Sequence, residues 1–304
     1  MIPFRKVSTF YAVILLAMSF SISGCGPGQL FGPTSTPTLA PVVHQPLPVT
    51  EVRAIDAGLR KIANQQVEVW NSHDAYKIRQ LYTQDIVHFD GVPRFVGNAE
   101  VYSMAIDMMN NFPDMGSKLS SVFIGREDGF DVWEMWNLFG FTQDQPGIEY
   151  DLLQTRDGLI SYWTLFYGPE LMKRGSAGLV NEKYLSDYAA AWSSGNAQMI
   201  AGIYAPDAAL EDSLFRERRQ GRSAIQDFAA KFYTAYPAAQ WELLQPFGES
   251  YPGLRQGGIF AIHLSKDKPC DIRTLILLEP SDGGIVSERV YYDAESLIAC
   301  NWAR

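Results

Sequence analysis

The sequence predicts an α+β protein built twice, as two tandem units that each place N-terminal helices against an antiparallel sheet. Two observations carry this. The stretch Val69–Asp90, "VWNSHDAYKIRQLYTQDIVHFD", returns as Ala191–Asp212, "AWSSGNAQMIAGIYAPDAALED", with Trp70 and Trp192, Tyr82 and Tyr204, and Asp90 and Asp212 all 122 residues apart. Within each copy, short helical patterns come first and a run of strand patterns follows, the order of an α+β domain. A repeat of this length means duplicated domains and not a solenoid. At 304 residues, with 47% hydrophobic and 19% charged residues, the chain can support two cores.

The elements of the second copy read as follows. Leu185, Tyr188, Ala189 and Trp192 fall at i, i+3, i+4 and i+7, the apolar stripe of a helix, and Gly195 ends it. A second short helix carries Ile200, Ile203 and Tyr204, and "AALED" (208–212) is a strand. "FRERRQG" (215–221) reads as a solvated loop to a third helix, "SAIQDFAAKFYTAY" (223–236). "GIFAIHLS" and "CDIRTLILLEP" flank a polar turn, and "GGIVSERVYYD" completes an antiparallel meander. The first copy has "GIEYDLLQT" and "GLISYWTLFY" in the matching places, with the offset growing to 124 at Gly97 and Gly221. The two units are bounded at 51–174 and 178–304, with the polar, Gly-rich "KRGSAG" between them.

Residues 1–25 read as a processing segment. Arg5 and Lys6 precede the apolar "FYAVILLAMSFSI", which is short for a span of roughly 20 residues. "ISGC" then resembles a bacterial lipobox, which implies lipidation at Cys25 and an extracytoplasmic, membrane-anchored lipoprotein; an uncleaved N-terminal anchor is the alternative. Residues 26–50 are rich in Pro, Thr and Gly and read as an extended tether.

The phrase "YAPDAALEDSLFRERRQGRSAIQDFAAKFY" resembles the core motif of the NTF2-like superfamily, which includes SnoaL-like polyketide cyclases and ketosteroid isomerases; "WNSHD…LYTQDIVHFD…GNAE" is a looser copy. The resemblance covers most of residues 51–300 and implies two cone-shaped domains. It also implies an aspartate general base at the end of the first strand. Strand alternation puts Ala208, Leu210 and Asp212 on one face and Ala209 and Glu211 on the other. Asp212 and its repeat partner Asp90 are therefore the inward acids, with His88 on the face of Asp90. The bland alternative is an aspartate that caps the following loop.

The family pattern implies two further groups, both donors to an oxyanion. On the first helix, the tyrosine position is Tyr188 in copy two and Gln66 in copy one. On a late strand, twelve residues before the serine of "IVS" or "LIS", the acid position is Leu275 in copy two and Glu149 in copy one. Trp70 and Trp192 are expected beside these groups as pocket lining, or simply as core.

Other chemistries find no support. There is no nucleophile elbow, phosphate loop or dinucleotide fingerprint. The four histidines are scattered and form no ligand cluster, so neither metal nor cofactor is expected. A net charge of −9 argues against a nucleic-acid partner. Cys270 and Cys300 are expected to pair in an exported chain, two free thiols being the alternative. The functional expectation is a binding module for a small, mostly apolar molecule. A cyclase- or isomerase-type proton transfer and a ligand-free scaffold are the rivals. The two units are expected to pack as an intrachain pseudo-dimer or to support a homo-oligomer, with membrane contact through the lipid only.

Overall fold

The computed structural model describes residues 47–89, 94–125, 130–138, 147–169, 180–212, 217–249, 255–265 and 270–300. The leader, Cys25, most of the tether, Asp90 and the "KRGSAG" boundary lie outside the described residues. The first copy runs α1 (Val49–Asn71), α2 (Ala75–Leu81), β1 (Tyr82–Phe89), β2 (Arg94–Val96), α3 (Asn98–Asn111), β3 (Gly116–Ile124), β4 (Phe130–Leu138), β5 (Gly147–Arg156) and β6 (Leu159–Tyr167). The second runs α4 (Glu182–Ser193), α5 (Ala197–Gly202), β7 (Tyr204–Asp212), β8 (Glu217–Gln220), α6 (Arg222–Ala235), β9 (Gln240–Glu249), β10 (Gln256–His263), β11 (Asp271–Ser281) and β12 (Gly284–Asp293), closed by α7 (Ala294–Ala299).

The repeat in sequence is a repeat in local physics. Asp74 and Asn196 cap α2 and α5, each accepting from the backbone N–H two residues on. Gly97 and Gly221 sit at φ 90° and 87°, where L residues are strained, and each donates its N–H at 2.7 Å to the carbonyl of Ile86 or Ala208. Trp70 Nε1 donates to Tyr82 Oη at 3.2 Å, and Trp192 Nε1 donates to Tyr204 Oη at 3.1 Å. Tyr204, expected on a helix, opens β7 instead, because it pairs with Ile285 of β12 and its hydroxyl is taken into the core. "FRERRQG", expected as a loop, contains β8, whose pairing with β7 sets Arg219 opposite Leu210.

The two sheets share edges. β6 pairs with β9 through Phe166–Glu249 and Tyr167–Gly248, and β12 pairs with β3 through Tyr292–Ile124 and Asp293–Phe123. Helices cover the outer faces. The inner faces enclose a second core containing Phe123, Tyr150, Phe166, Phe247, Leu275 and Tyr291. Burying such a side chain is worth about 1.5–3 kcal/mol, so this core binds the copies together strongly.

Gly284 turns the β11–β12 hairpin at φ 113°, and a Cβ there would lie 2.6 Å from the Ile203 carbonyl oxygen. Gly284→Ala is expected to cost about 2–3 kcal/mol in a urea titration, from backbone strain and the clash together. An unchanged midpoint would show that the hairpin relaxes freely.

Candidate functional site

In the second copy, α4 places Tyr188 and Trp192 one turn apart on its buried face. The parallel pairing of β7 with β12 sets Leu210 beside Glu288 and Asp212 beside Val290, so Asp212, Glu288 and Tyr292 point into the same cone. Tyr188 Oη donates to Glu288 Oε1 at 2.7 Å, and Tyr204 Oη donates to Glu288 Oε2. Tyr292 Oη donates to Asp212 Oδ2 at 3.1 Å. Asp212 and Glu288 are only 4% and 1% exposed, so two acids share one nearly dry interior.

Burial is the largest influence on Glu288 and pushes its carboxyl up to about 7; the two phenol hydroxyls oppose this, Asp212 adds to it and Arg219 opposes it. Burial likewise holds the Tyr188, Tyr204 and Tyr292 hydroxyls well above the ordinary phenol range, so they act as neutral donors. The walls are aromatic. The Tyr188 ring lies 5.5 Å from Phe260 and 6.1 Å from Trp241, and Trp192 lies 4.9 Å from Trp241. Arg219 covers the Phe228 ring at 3.7 Å.

The first cone keeps the scaffold and changes the chemistry. Gln66 takes the place of Tyr188, and its Nε2 donates to Asp151 Oδ2 at 3.2 Å. The strand registers put Trp163 in the place of Glu288 and Phe95 in the place of Arg219. His88 is stacked on Trp163 at 4.0 Å and on Phe95 at 5.7 Å. Its Nδ1 donates to the Trp163 carbonyl at 3.2 Å. Burial lowers its pKa to about 4, so near neutrality it is an uncharged ring. An open groove of about 660 Å³ runs over Phe95, Met104, Met108 and Phe112.

Sequence reasoning placed Asp212, Tyr188, Trp192, Trp70, Gln66 and His88 among the buried side chains of the two cones. Leu275 requires correction. Alternation turns it to the opposite face of β11, into the second core, while Thr274 and Ile276 face the cone. The acid sought there is Glu288, one strand later. Glu149 is buried, but the acid that meets Gln66 is Asp151, two residues on along the same face. The signal was an acid inside a largely apolar strand, a single one (Glu288) in "IVSERVYY" and two on one face (Glu149 and Asp151) in "GIEYDLL". Among the described residues, no group of His, Cys, Asp and Glu could hold a metal ion. Cys270 and Cys300 are joined by a disulfide, with Cα atoms 5.4 Å apart.

Comparison with protein families matches a SnoaL-like domain twice, at residues 63–163 and 185–286. No curated protein matches the chain. Among solved structures, the chain is similar to a protein with a ketosteroid isomerase-like fold from Catenulispora acidiphila, crystallised with trimethylamine: identity 19%, TM-score 0.35, covering 40% of this chain and 92% of that one. It is also similar to an NTF2-like protein of unknown function from Burkholderia xenovorans, with identity 22%, TM-score 0.30, and coverage of 36% and 80%. A third is an NTF2-like protein of unknown function from Cytophaga hutchinsonii, with identity 16%, TM-score 0.31, and coverage of 41% and 99%.

Proposed function

The chain belongs to the SnoaL-like domain family, in two tandem copies, and from that premise we propose that it binds a small, mostly apolar molecule whose one polar group is held in the second cone by Glu288 and Asp212. The observation that carries this is a buried carboxyl, Glu288, holding two phenol donors among aromatic side chains. Such a group has no purpose in simple packing, since apolar residues of similar volume would cost less. A ligand hydroxyl can donate to Glu288 in place of one phenol, and a ligand carbonyl can accept from the phenol so released. The first cone, with His88 between Phe95 and Trp163, suits an uncharged aromatic body instead.

A second reading is proton transfer of the isomerase or cyclase kind. The ionisation of Glu288 near 7 favours it, because a group that gains and loses its proton at working pH can act as acid or base. Asp212 is then the partner base and Tyr188 the donor to a developing oxyanion. The leader, with its lipobox-like "ISGC", supports an exported chain anchored at Cys25.

2-Naphthol is a suitable probe, apolar with one hydroxyl. Glu288→Gln is expected to weaken its binding about tenfold by fluorescence titration, corresponding to loss of one good buried hydrogen bond. Equal affinity in Glu288→Gln and Asp212→Asn would remove the second cone as the site. For the second reading, deuterium exchange at the α-carbons of 2-tetralone should fall about 100-fold in Asp212→Asn; exchange at the uncatalysed rate in the unmodified protein would leave binding alone.

A further inference from the structure

We infer that the first copy carries a separate, open binding site, the groove of about 660 Å³ between β2 and α3, suited to an organic cation with an apolar stem. Phe95, Met104, Met108 and Phe112 form its apolar wall, and Arg94, Glu100 and Asp107 are its charged residues. The inference goes beyond the reading of the cones. Among the described residues, neither His88 nor Trp163 lines the groove, and Phe95 alone is shared with their stack.

The second copy fills the same place with its own side chains. α3 and α6 each follow a glycine N-cap and run 14 residues, so Met104 and Met108 correspond to Phe228 and Phe232. The strand registers match Phe95 with Arg219. The Arg219 guanidinium lies 3.7 Å over the Phe228 ring, and the Phe228 and Phe232 rings stand 6.3 Å apart. In the first copy two unbranched methionines replace the rings and no arginine arm crosses them, which leaves the groove. The space runs where the other copy seats a cation on an apolar arm. Charge has turned with it. The counterparts of the groove residues include Arg218, Arg219, Lys231 and Asp227, whereas the groove carries Arg94, Glu100 and Asp107. Asp107 stands where Lys231 stands in the second copy. Its carboxylate takes no hydrogen bond or ion pair among the described residues. Glu100 uses Oε2 to accept from the Val96 N–H at 2.7 Å, and a carboxylate accepts several such bonds. Arg94 is engaged elsewhere, its guanidinium lying 5.3 Å over Phe89, which is not a wall of the groove. A cationic head beside Asp107 gains a charge-assisted bond, and its stem lies along two thioethers that adapt to apolar shapes.

The test follows the methionine methyl NMR signals of the full chain during titration with octylammonium, with octan-1-ol and octanoate as neutral and anionic controls. The signals of Met104 and Met108, identified through Met104→Leu and Met108→Leu, should shift saturably below millimolar octylammonium. The two controls should bind about threefold more weakly or worse, as expected for loss of one exposed ion pair. Asp107→Asn should weaken octylammonium about threefold, and Asp107→Lys, which places the second copy's residue on an exposed helix face, about tenfold. Met104→Phe should fill the groove and silence the Met108 response. Glu288→Gln should leave the octylammonium response intact, and Asp107→Lys should leave 2-naphthol binding in the second cone intact, so the two sites fail separately. Unmoved Met104 and Met108 signals, octanol or octanoate binding as tightly as octylammonium, unchanged affinity in Asp107→Lys, or loss in Glu288→Gln would each overturn the assignment.

Discussion

Replacing Glu288 by Gln is expected to make stability rise by about 3 kcal/mol between pH 4 and 6.5, whereas replacing His88 by Leu is expected to make it fall by about 3 kcal/mol between pH 4.5 and 7. The sign follows from which state holds the proton. Glu288 titrates near 4.5 in the unfolded chain and near 7 when folded, so in that window only the folded protein is protonated and rising pH favours unfolding. His88 moves the other way, from 6.5 to about 4, so only the unfolded chain is protonated there and rising pH favours folding. Between pH 4.5 and 6.5 the two slopes oppose each other in the unmodified protein and nearly cancel. The residues stand in different cones, so their effects should add. Urea titrations at four pH values, each referred to the double variant, isolate the two contributions. Parallel curves for all four proteins would show that neither group titrates as its burial requires. Leu is the apt replacement for His88, since Leu210 stands at the same register in the second cone.

Loss of the Cys270–Cys300 bond is the other large effect. It closes a loop across 30 residues, tying the end of α7 to the start of β11. Chain-entropy arguments give about 3–4 kcal/mol for a loop of this size. For a domain pair of this length, that corresponds to a fall in Tm of roughly 7–14 °C. Cys300→Ser should show this loss, and dithiothreitol should reproduce it in the unmodified chain while leaving Cys270→Ser with Cys300→Ser unmoved. Coincident melts with and without reductant would mean that the bond constrains nothing in the unfolded chain.

Much of the fold was legible because duplication doubles every local signal. A tryptophan and a tyrosine twelve residues apart, seen twice, mark the same indole-to-phenol bond in both copies. Strand alternation sufficed to turn Asp212 inward and Glu211 to the other face, where the structure shows it meeting Arg289. What escaped is instructive. Glu288 sits between Ser287 and Arg289, so the middle of its strand is polar on both faces in sequence and parity does not single out the buried residue. A spacing borrowed from the family then pointed to Leu275, whose side chain lies on the wrong face. Arg219 was missed for a simpler reason. A run of charges reads as solvated surface, yet β8 pairs with β7 and lays one of those charges on Phe228.

The edge pairings of β6 with β9 and of β3 with β12 bear on how such a chain can change over time. Neither copy is a detachable module, because excising one would bare two strand edges and half of an aromatic core to water. The copies are therefore inherited together, and selection acts on them as one object. That arrangement frees each cone to drift in its own direction. The first carries Gln, Phe and Trp where the second carries Tyr, Arg and Glu, and the same strand registers hold in both.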